Sequence, residues 1–345
     1  MQNSNQHAIL KKADRLTPEE IRAWDSLGAA RPHLASPFLS AHYARAFAEV
    51  GVDARVCIIR EHGEIAAFFP FFYRNGVAAA FGAAQRIGGE MTDTFGVVAR
   101  DGFRTTPAEL LRLARIHYLT FTHLDQAQLQ YGLGGDQPRI GLRTRLDPQV
   151  VPVLDSVPTI GRHYLKESAR RTRKLAEEVG PMRFEFNVDQ DRAGALAVLI
   201  RQKRAQYASS GATDALKEPW KRDALAQLLD YRFDNCQGVL SSLYAGDAWI
   251  ASHFGLMGNG ILHMWFPVYN QDYAKYSPGR LLLHAIIDSC RTAGFDTIDR
   301  GEGDTPIKRE IANQEYQLYR GIWQSRSPIG PIMHNTNRLR WRLGL

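Results

Sequence analysis

The stretch NQDYAKYSPGRLLLHAIIDSCRTAGFDTIDRGEGDTPIKRE, Asn270 to Glu310, decides how the chain reads. A Ser-Pro-Gly step leads into an apolar run over 280–293 whose leucines and isoleucines recur at helical spacing. The short strand DTIDRG follows, and then a burst of charge: Asp299, Arg300, Glu302, Asp304 and Lys308. A helix N-terminus presents unpaired backbone N–H groups and roughly half a positive charge, which suits a pyrophosphate. Gly279 removes the side chain that would hold a phosphate away from that backbone, and Pro278 stiffens the approach. The alternative is an ordinary turn before a buried helix. The charged residues leave the carboxyl end of the strand beside that helix, where α/β sheets bind ligands.

Working outward, MRFEFNV alternates as a strand, and Asp189 is placed to cap a helix running to Ala208. A second helix begins at Pro219, a favoured first position. Three antiparallel strands follow between Gly238 and Tyr269, turning at Gly246-Asp247 and Asn259-Gly260. A short helix near 306–313 and a last strand YQLYRGIWQ complete the half. The first half repeats the plan loosely. Two helices, TPEEIRAWDSL with Thr17 and Glu20 in a capping-box pattern and SAHYARAFAEV, precede a hairpin turning at His62-Gly63. A helix over 106–125 and a strand QAQLQYGL come next. The expected class is α/β with a mixed sheet, in two related domains, 1–150 and 151–345, joined through the Pro-punctuated segment 146–160.

Composition narrows the function. Of 345 residues 44% are apolar and 23% charged, ordinary for a globular protein with ample core. Three scattered cysteines, Cys57, Cys236 and Cys290, form no CxxC or Cys/His cluster, so neither disulfides nor a metal site is expected. The N-terminus lacks a signal peptide's apolar core and no apolar run approaches membrane-spanning length, so a cytoplasmic protein is expected. The formal charge of +7 is concentrated partly in KESARRTRK, Lys166–Lys174, and in the tail NRLRWRL. That excess suits an anionic ligand or simply a solvated surface. Aromatic residues are not interleaved with the charges of KESARRTRK, so nucleic acid is a weak expectation.

The segments YSPGRLLLHAII, IDRGEGDTPIKRE, SPFLSAHYARAFAEV and GEIAAFFPFF resemble acetyltransferases of the GNAT superfamily. More narrowly they resemble the tandem-GNAT group that includes the cellulose-biosynthesis-associated (CelD/BcsL-like) acyltransferases and, more distantly, the Fem aminoacyltransferases. The resemblance spans nearly the whole chain. It implies a degenerate GNAT-like domain over 1–150 and a catalytic one over 151–345. The implied reaction moves an acyl group, acetyl first, from acyl-CoA to an amine, in a setting of polysaccharide or cell-envelope biosynthesis. Fem-like transfer from aminoacyl-tRNA and a non-catalytic accessory role are the alternatives. One departure stands out: against the superfamily's phosphate loop, Gln/Arg-x-x-Gly-x-Gly/Ala, only Gly279 of Ala274–Gly279 matches.

Acyl transfer to an amine needs a base for the amine proton. Glu302 and Asp304 are the carboxylate candidates, with Asp304 four residues from Lys308 at helical pairing distance. His253 in ASHFGLM is the third candidate; a satisfied core histidine is its common alternative. Tyr276, Ser277, Gly279, Arg280 and Lys308 are the expected donor-binding residues. A solvated loop holding one surface ion pair is the competing reading of the charged cluster.

Overall fold

The computed structural model describes residues 6–325, so the basic tail at 337–343 lies outside the described residues. The chain divides into two compact units. One comprises the chain up to Arg139 together with the stretch from Gln317 onward; the other is Ile140–Tyr316. The division thus falls at Arg139/Ile140 rather than within 146–160, and the chain returns to the first unit at its end.

The first unit opens with an edge strand β1 (Gln6–Lys12), which the polar N-terminus did not announce. Helix α1 (Pro18–Ala29) starts as expected: Thr17 accepts from Glu20 N–H while the Glu20 carboxylate accepts from Thr17 N–H. Helix α2 (Ala41–Glu49) is capped by Ser40. Strands β2 (Asp53–Glu61) and β3 (Glu64–Tyr73) pair antiparallel across the His62-Gly63 turn. A short helix α3 (Gly76–Ala80), β4 (Ala83–Gln85) and β5 (Val98–Ala99) follow.

The helix expected over 106–125 is split. Helix α4 (Pro107–Ala114) ends where Arg115 turns left-handed, and β6 (Tyr118–Asp125) takes the remainder. Tyr, Thr and Phe alternating in YLTFTHLD favour a strand over a helix. Within the segment read as a strand, QAQLQYGL, residues Gln126–Tyr131 form instead a 3-10 turn opened by the Asp125 carboxylate, which accepts from Ala127 N–H. Strands run in the order β1-β2-β3-β4-β6, with β4 and β6 parallel. Trp24 stacks on Phe68 at 4.7 Å in this unit's core.

Strand β7 (Gln137–Arg145), unforeseen from the sequence, carries the chain into the second unit. The basic helix α5 (Arg162–Glu178) and β8 (Met182–Glu185) precede α6 (Arg192–Ser210), whose cap is Asp191 rather than Asp189. Helix α7 (Pro219–Asp230) leads to the meander β9 (Gln237–Ala245), β10 (Ala248–Gly258) and β11 (Ile261–Tyr269), turning where expected. Helix α8 (Pro278–Asp288) stops at Ser289, and a separate turn α9 (Cys290–Ala293) follows. Strand β12 (Thr297–Glu302) and α10 (Pro306–Arg309) complete the unit. The final strand β13 (Gln314–Gln324) passes into the first unit, pairing antiparallel with β6 from Leu318 on.

The second unit's sheet runs β7-β12-β11-β10-β9-β8, and its one parallel pair is β11 with β12. Leu281, Leu282, Ile286 and Ile287 of α8 pack with Leu243, Ile250, Leu262 and Ile298 of the sheet. Each such fully buried side chain contributes about 1.5–3 kcal/mol relative to exposure. That packing fixes where the N-terminus of α8 lies relative to β12.

Candidate active site

The parallel pairing of β11 and β12 is short: Ile261↔Thr297, Leu262↔Ile298 and His263↔Asp299. The site begins at that last pair. Asp299 is 1% exposed, and a carboxylate so buried needs compensation. Arg143 Nε donates to its Oδ2 at 2.8 Å, while Tyr316 Oη and the Gly301 N–H donate to Oδ1 at 2.7 and 2.8 Å. The Arg143 guanidinium also lies 3.8 Å over the Tyr316 ring. Burial pushes the Asp299 pKa up, but nearby His263, Arg143 and the hydrogen bonds more than offset it, leaving the carboxyl below its ordinary value. Asp299 is therefore an ionised anchor.

A bulge at Arg300-Gly301 lets Asp299 pair with Arg143 and Glu302 with Gly141, so Glu302 returns to the face that Asp299 occupies. Gly301 takes φ +66 there, a conformation glycine adopts without penalty. Gly141 has no side chain for a specific reason: a Cβ at that position would sit 2.3 Å from the Tyr316 ring.

Glu302 is half-buried at the end of β12. Asp304 is exposed and held by Arg309 Nε and Nη2 at 2.6 and 2.9 Å, which lowers its pKa. The expected Asp304–Lys308 pair does not form. Asp304 precedes Thr305, the N-cap of α10, so helical four-residue spacing does not apply to it. Lys308 Nζ instead donates to the Arg300 and Glu302 carbonyls at 2.7 Å each, while Arg300 Nη1 donates to the Ile307 and Lys308 carbonyls at 3.1 Å. Together these bonds staple the loop between β12 and α10.

His253 is fully buried, and neither ring nitrogen makes a hydrogen bond of good geometry. Burial drives its pKa down to about 3; a backbone interaction with His263 favours protonation too weakly to offset this. His263 is likewise pushed down to about 4 by burial, and its Nδ1 lies 3.9 Å from Asp299 Oδ1. Both imidazoles are neutral at pH 7.

At the N-terminus of α8, Ser277 adopts a left-handed conformation and its hydroxyl accepts from Arg171 of α5. A Cβ added at Gly279 would meet nothing within 4 Å, so α8 is open at that position although Pro278 and Leu281 beside it are buried. Arg280 stands beside it, 4.2 Å over the Tyr164 ring and bonded to Glu310 at 3.2 Å. Tyr276, by contrast, is a core residue at 2% exposure with its hydroxyl on Glu178. An open helix N-terminus with two flanking guanidiniums fits a phosphate-bearing donor. In the basic helix, Arg170 and Lys174 pair with its own Glu167 and Glu178, and Arg171 is the cation that reaches α8.

Arg143, Gly141 and Arg171 escaped sequence reasoning. The first two arrive on β7, Arg143 lying 156 residues before Asp299, and only strand pairing brings them there. An Arg-x-Arg alternation in RIGLRTR was the one local signal.

Residues 164–309 match the model of the acetyltransferase (GNAT) domain. Among solved structures, the chain is similar to FemX at a TM-score of 0.61 and 10% identity, covering 95% of this chain and 99% of that one. It is similar to a tandem GNAT protein from the clavulanic acid biosynthesis pathway at a TM-score of 0.51 and 12% identity, covering 93% and 98%. It is also similar to L-PGS from Bacillus licheniformis at a TM-score of 0.52 and 12% identity, covering 94% and 96%. No curated protein matches the chain. The match to the acetyltransferase (GNAT) domain model spans α5 through α10, and the short parallel fork and the helix N-terminus that is open at Gly279 both lie inside it.

Proposed function

We propose that the unit Ile140–Tyr316 transfers an acyl group, acetyl first, from acyl-CoA to an amine acceptor. The observation that carries this is the juxtaposition within one unit of a parallel fork lined by Asp299 and Glu302 and the open N-terminus of α8 at Gly279. Ser277, Gly279 and Arg280, with Arg171, hold the phosphates of the donor. Glu302 takes the acceptor's proton, directly or through water. Its place on the face of Asp299 supports that role better than the Arg309-bound Asp304 or the sealed His253 is supported. Asp299, Arg143 and Tyr316 form a rigid polar floor that positions Glu302. Lys308 orders the loop and contributes to the donor site through that loop.

The catalytic device is chiefly the holding of two reactants in one cleft, with no covalent intermediate on the enzyme. The acceptor belongs, on the resemblance to CelD/BcsL-like proteins, to polysaccharide or cell-envelope biosynthesis. The first unit serves as a degenerate companion domain. Release of free thiol from acetyl-CoA, followed across a panel of amino sugars, peptides and small amines, tests the reading. Thiol release that depends on an amine and falls in Glu302→Gln supports it. Transfer only from aminoacyl-tRNA would replace it with the Fem-like reaction, and no transfer from either donor would leave an accessory protein.

A further inference from the structure

The first unit has a parallel fork of its own with a different occupant. Strands β4 and β6 run parallel through Gln85↔Thr120, and Arg86 follows directly at the carboxyl end of β4. Arg86 is 8% exposed, yet among the described residues its guanidinium makes one hydrogen bond, from Nε to the Thr92 carbonyl at 3.2 Å. Among the described residues its two terminal amino groups make no hydrogen bond, and neither stands among the fully sealed polar atoms that lack a partner. Buried guanidiniums are ordinarily paired with carboxylates. Here Asp93 and Glu90 act on Arg86 through space without an ion pair, and Asp93 lies 3.6 Å from His123 Nε2 instead.

Arg320 of β13 adds a second positive charge in range. Burial lowers Arg86 to about 10, so it stays charged at neutral pH. The loop that carries it is closed rather than loose. Gly88 and Gly89 take φ +75 and +55, and a Cβ at Gly88 would come within 2.5 Å of Thr92 Oγ1 and 2.7 Å of Tyr43 Oη. Tyr43 and Thr92 share a 2.7 Å hydrogen bond beneath it. The Thr92 carbonyl that aims Arg86 is thereby fixed.

We propose that Arg86 anchors a binding site in the first unit for a compact oxyanion, the carboxylate or phosphate group of a ligand. At the corresponding fork of the second unit a buried acid, Asp299, is neutralised by Arg143. In the first unit the buried charge is the arginine, and the ligand supplies its counter-charge. A planar guanidinium with both amino groups free matches carboxylate or phosphate oxygens bidentately, which a lysine cannot do. The site does not depend on the acyl-transfer reading, and its failure would leave that reading intact.

The test is thermal denaturation of the full chain in a chloride buffer, with inorganic phosphate or succinate added. Wild type and the exposed control Arg22→Gln are expected to gain stability from at least one of the two anions, and Arg86→Gln to gain none. A rise with phosphate alone assigns a phosphate-bearing ligand; a rise with succinate alone assigns a carboxylate. Arg86→Lys is expected to need at least about tenfold more anion for the same rise. No rise in wild type, or an equal rise in Arg86→Gln, overturns the proposal. Should Arg86→Gln fail to fold, wild-type crystals grown with tungstate or bromoacetate decide. An anomalous peak within hydrogen-bond reach of Arg86 supports the site, and its absence means that water alone solvates the guanidinium.

Discussion

Two carboxylates three residues apart, Asp299 and Glu302, face the same way on β12 yet differ in what surrounds them. Asp299 is held by three donors and stays charged, so it is a poor proton acceptor. Glu302 is half-buried at the strand end and is the proposed base. Glu302→Gln is expected to lower kcat by ~10²–10⁴-fold while leaving CoA affinity within about twofold; steady-state kinetics beside a binding titration checks both. The buried histidines predict a pH effect on folding. His253 has a folded pKa of about 3 and His263 of about 4, both below the ordinary 6.5. As pH falls through 6.5 the unfolded chain takes up protons that the folded one refuses, so stability present above pH 6.5 is lost progressively toward pH 4. Urea midpoints at pH 7, 6 and 5 should show this. His253→Leu should make the slope shallower by about 1.4 kcal/mol per pH unit, and an unchanged slope would mean that His253 titrates normally.

Among the elements, β7 does what no local pattern announces. It closes the free side of β12 and delivers Arg143 to Asp299, and its Gly141 makes room for Tyr316. Gly141→Ala should displace that ring and break its bond to Asp299, destabilising the fold by about 1–3 kcal/mol. Chemical denaturation measures the loss, and wild-type stability would mean that the ring moves aside freely. The elements legible in the sequence were those with local signatures: the Thr17/Glu20 capping box, the His62-Gly63 and Asn259-Gly260 hairpins, Pro219 opening α7, and the Pro-Gly start of α8. The failures have physical causes. The apolar spacing of α4 ran on into YLTFTHLD, where alternation should have outweighed it. The partners of Asp299 lie far away in sequence, and spacing cannot reveal a contact made across a sheet. Lys308 was read from helical spacing that a helix as short as Pro306–Arg309 does not provide. The fork itself was legible as a place, from the helix and strand that flank it.

For the whole molecule, each unit contains four strands in antiparallel order followed by one parallel neighbour, β1-β2-β3-β4-β6 and β8-β9-β10-β11-β12. That repetition motivates the proposal of two related domains. The connections are exchanged at the ends: β7 pairs with β12, and β13 pairs with β6. A fragment beginning at residue 151 would leave β12 without β7 and β13 without β6, exposing two unpaired strand edges. Such a fragment is expected to aggregate or remain partly unfolded by comparison with the full chain, as size-exclusion chromatography and circular dichroism would show. A monomeric, cooperatively folded fragment would mean that neither pairing is needed. The central claim, that the open N-terminus of α8 seats the donor, is tested most directly by calorimetric titration of CoA into wild type and Gly279→Val. A Cβ added at Gly279 meets nothing within 4 Å, so on the proposed donor site the valine side chain obstructs the incoming phosphate rather than the fold. Saturable binding by wild type that weakens at least about tenfold in a normally folded Gly279→Val protein is the predicted result, and equal affinity in both proteins would contradict it.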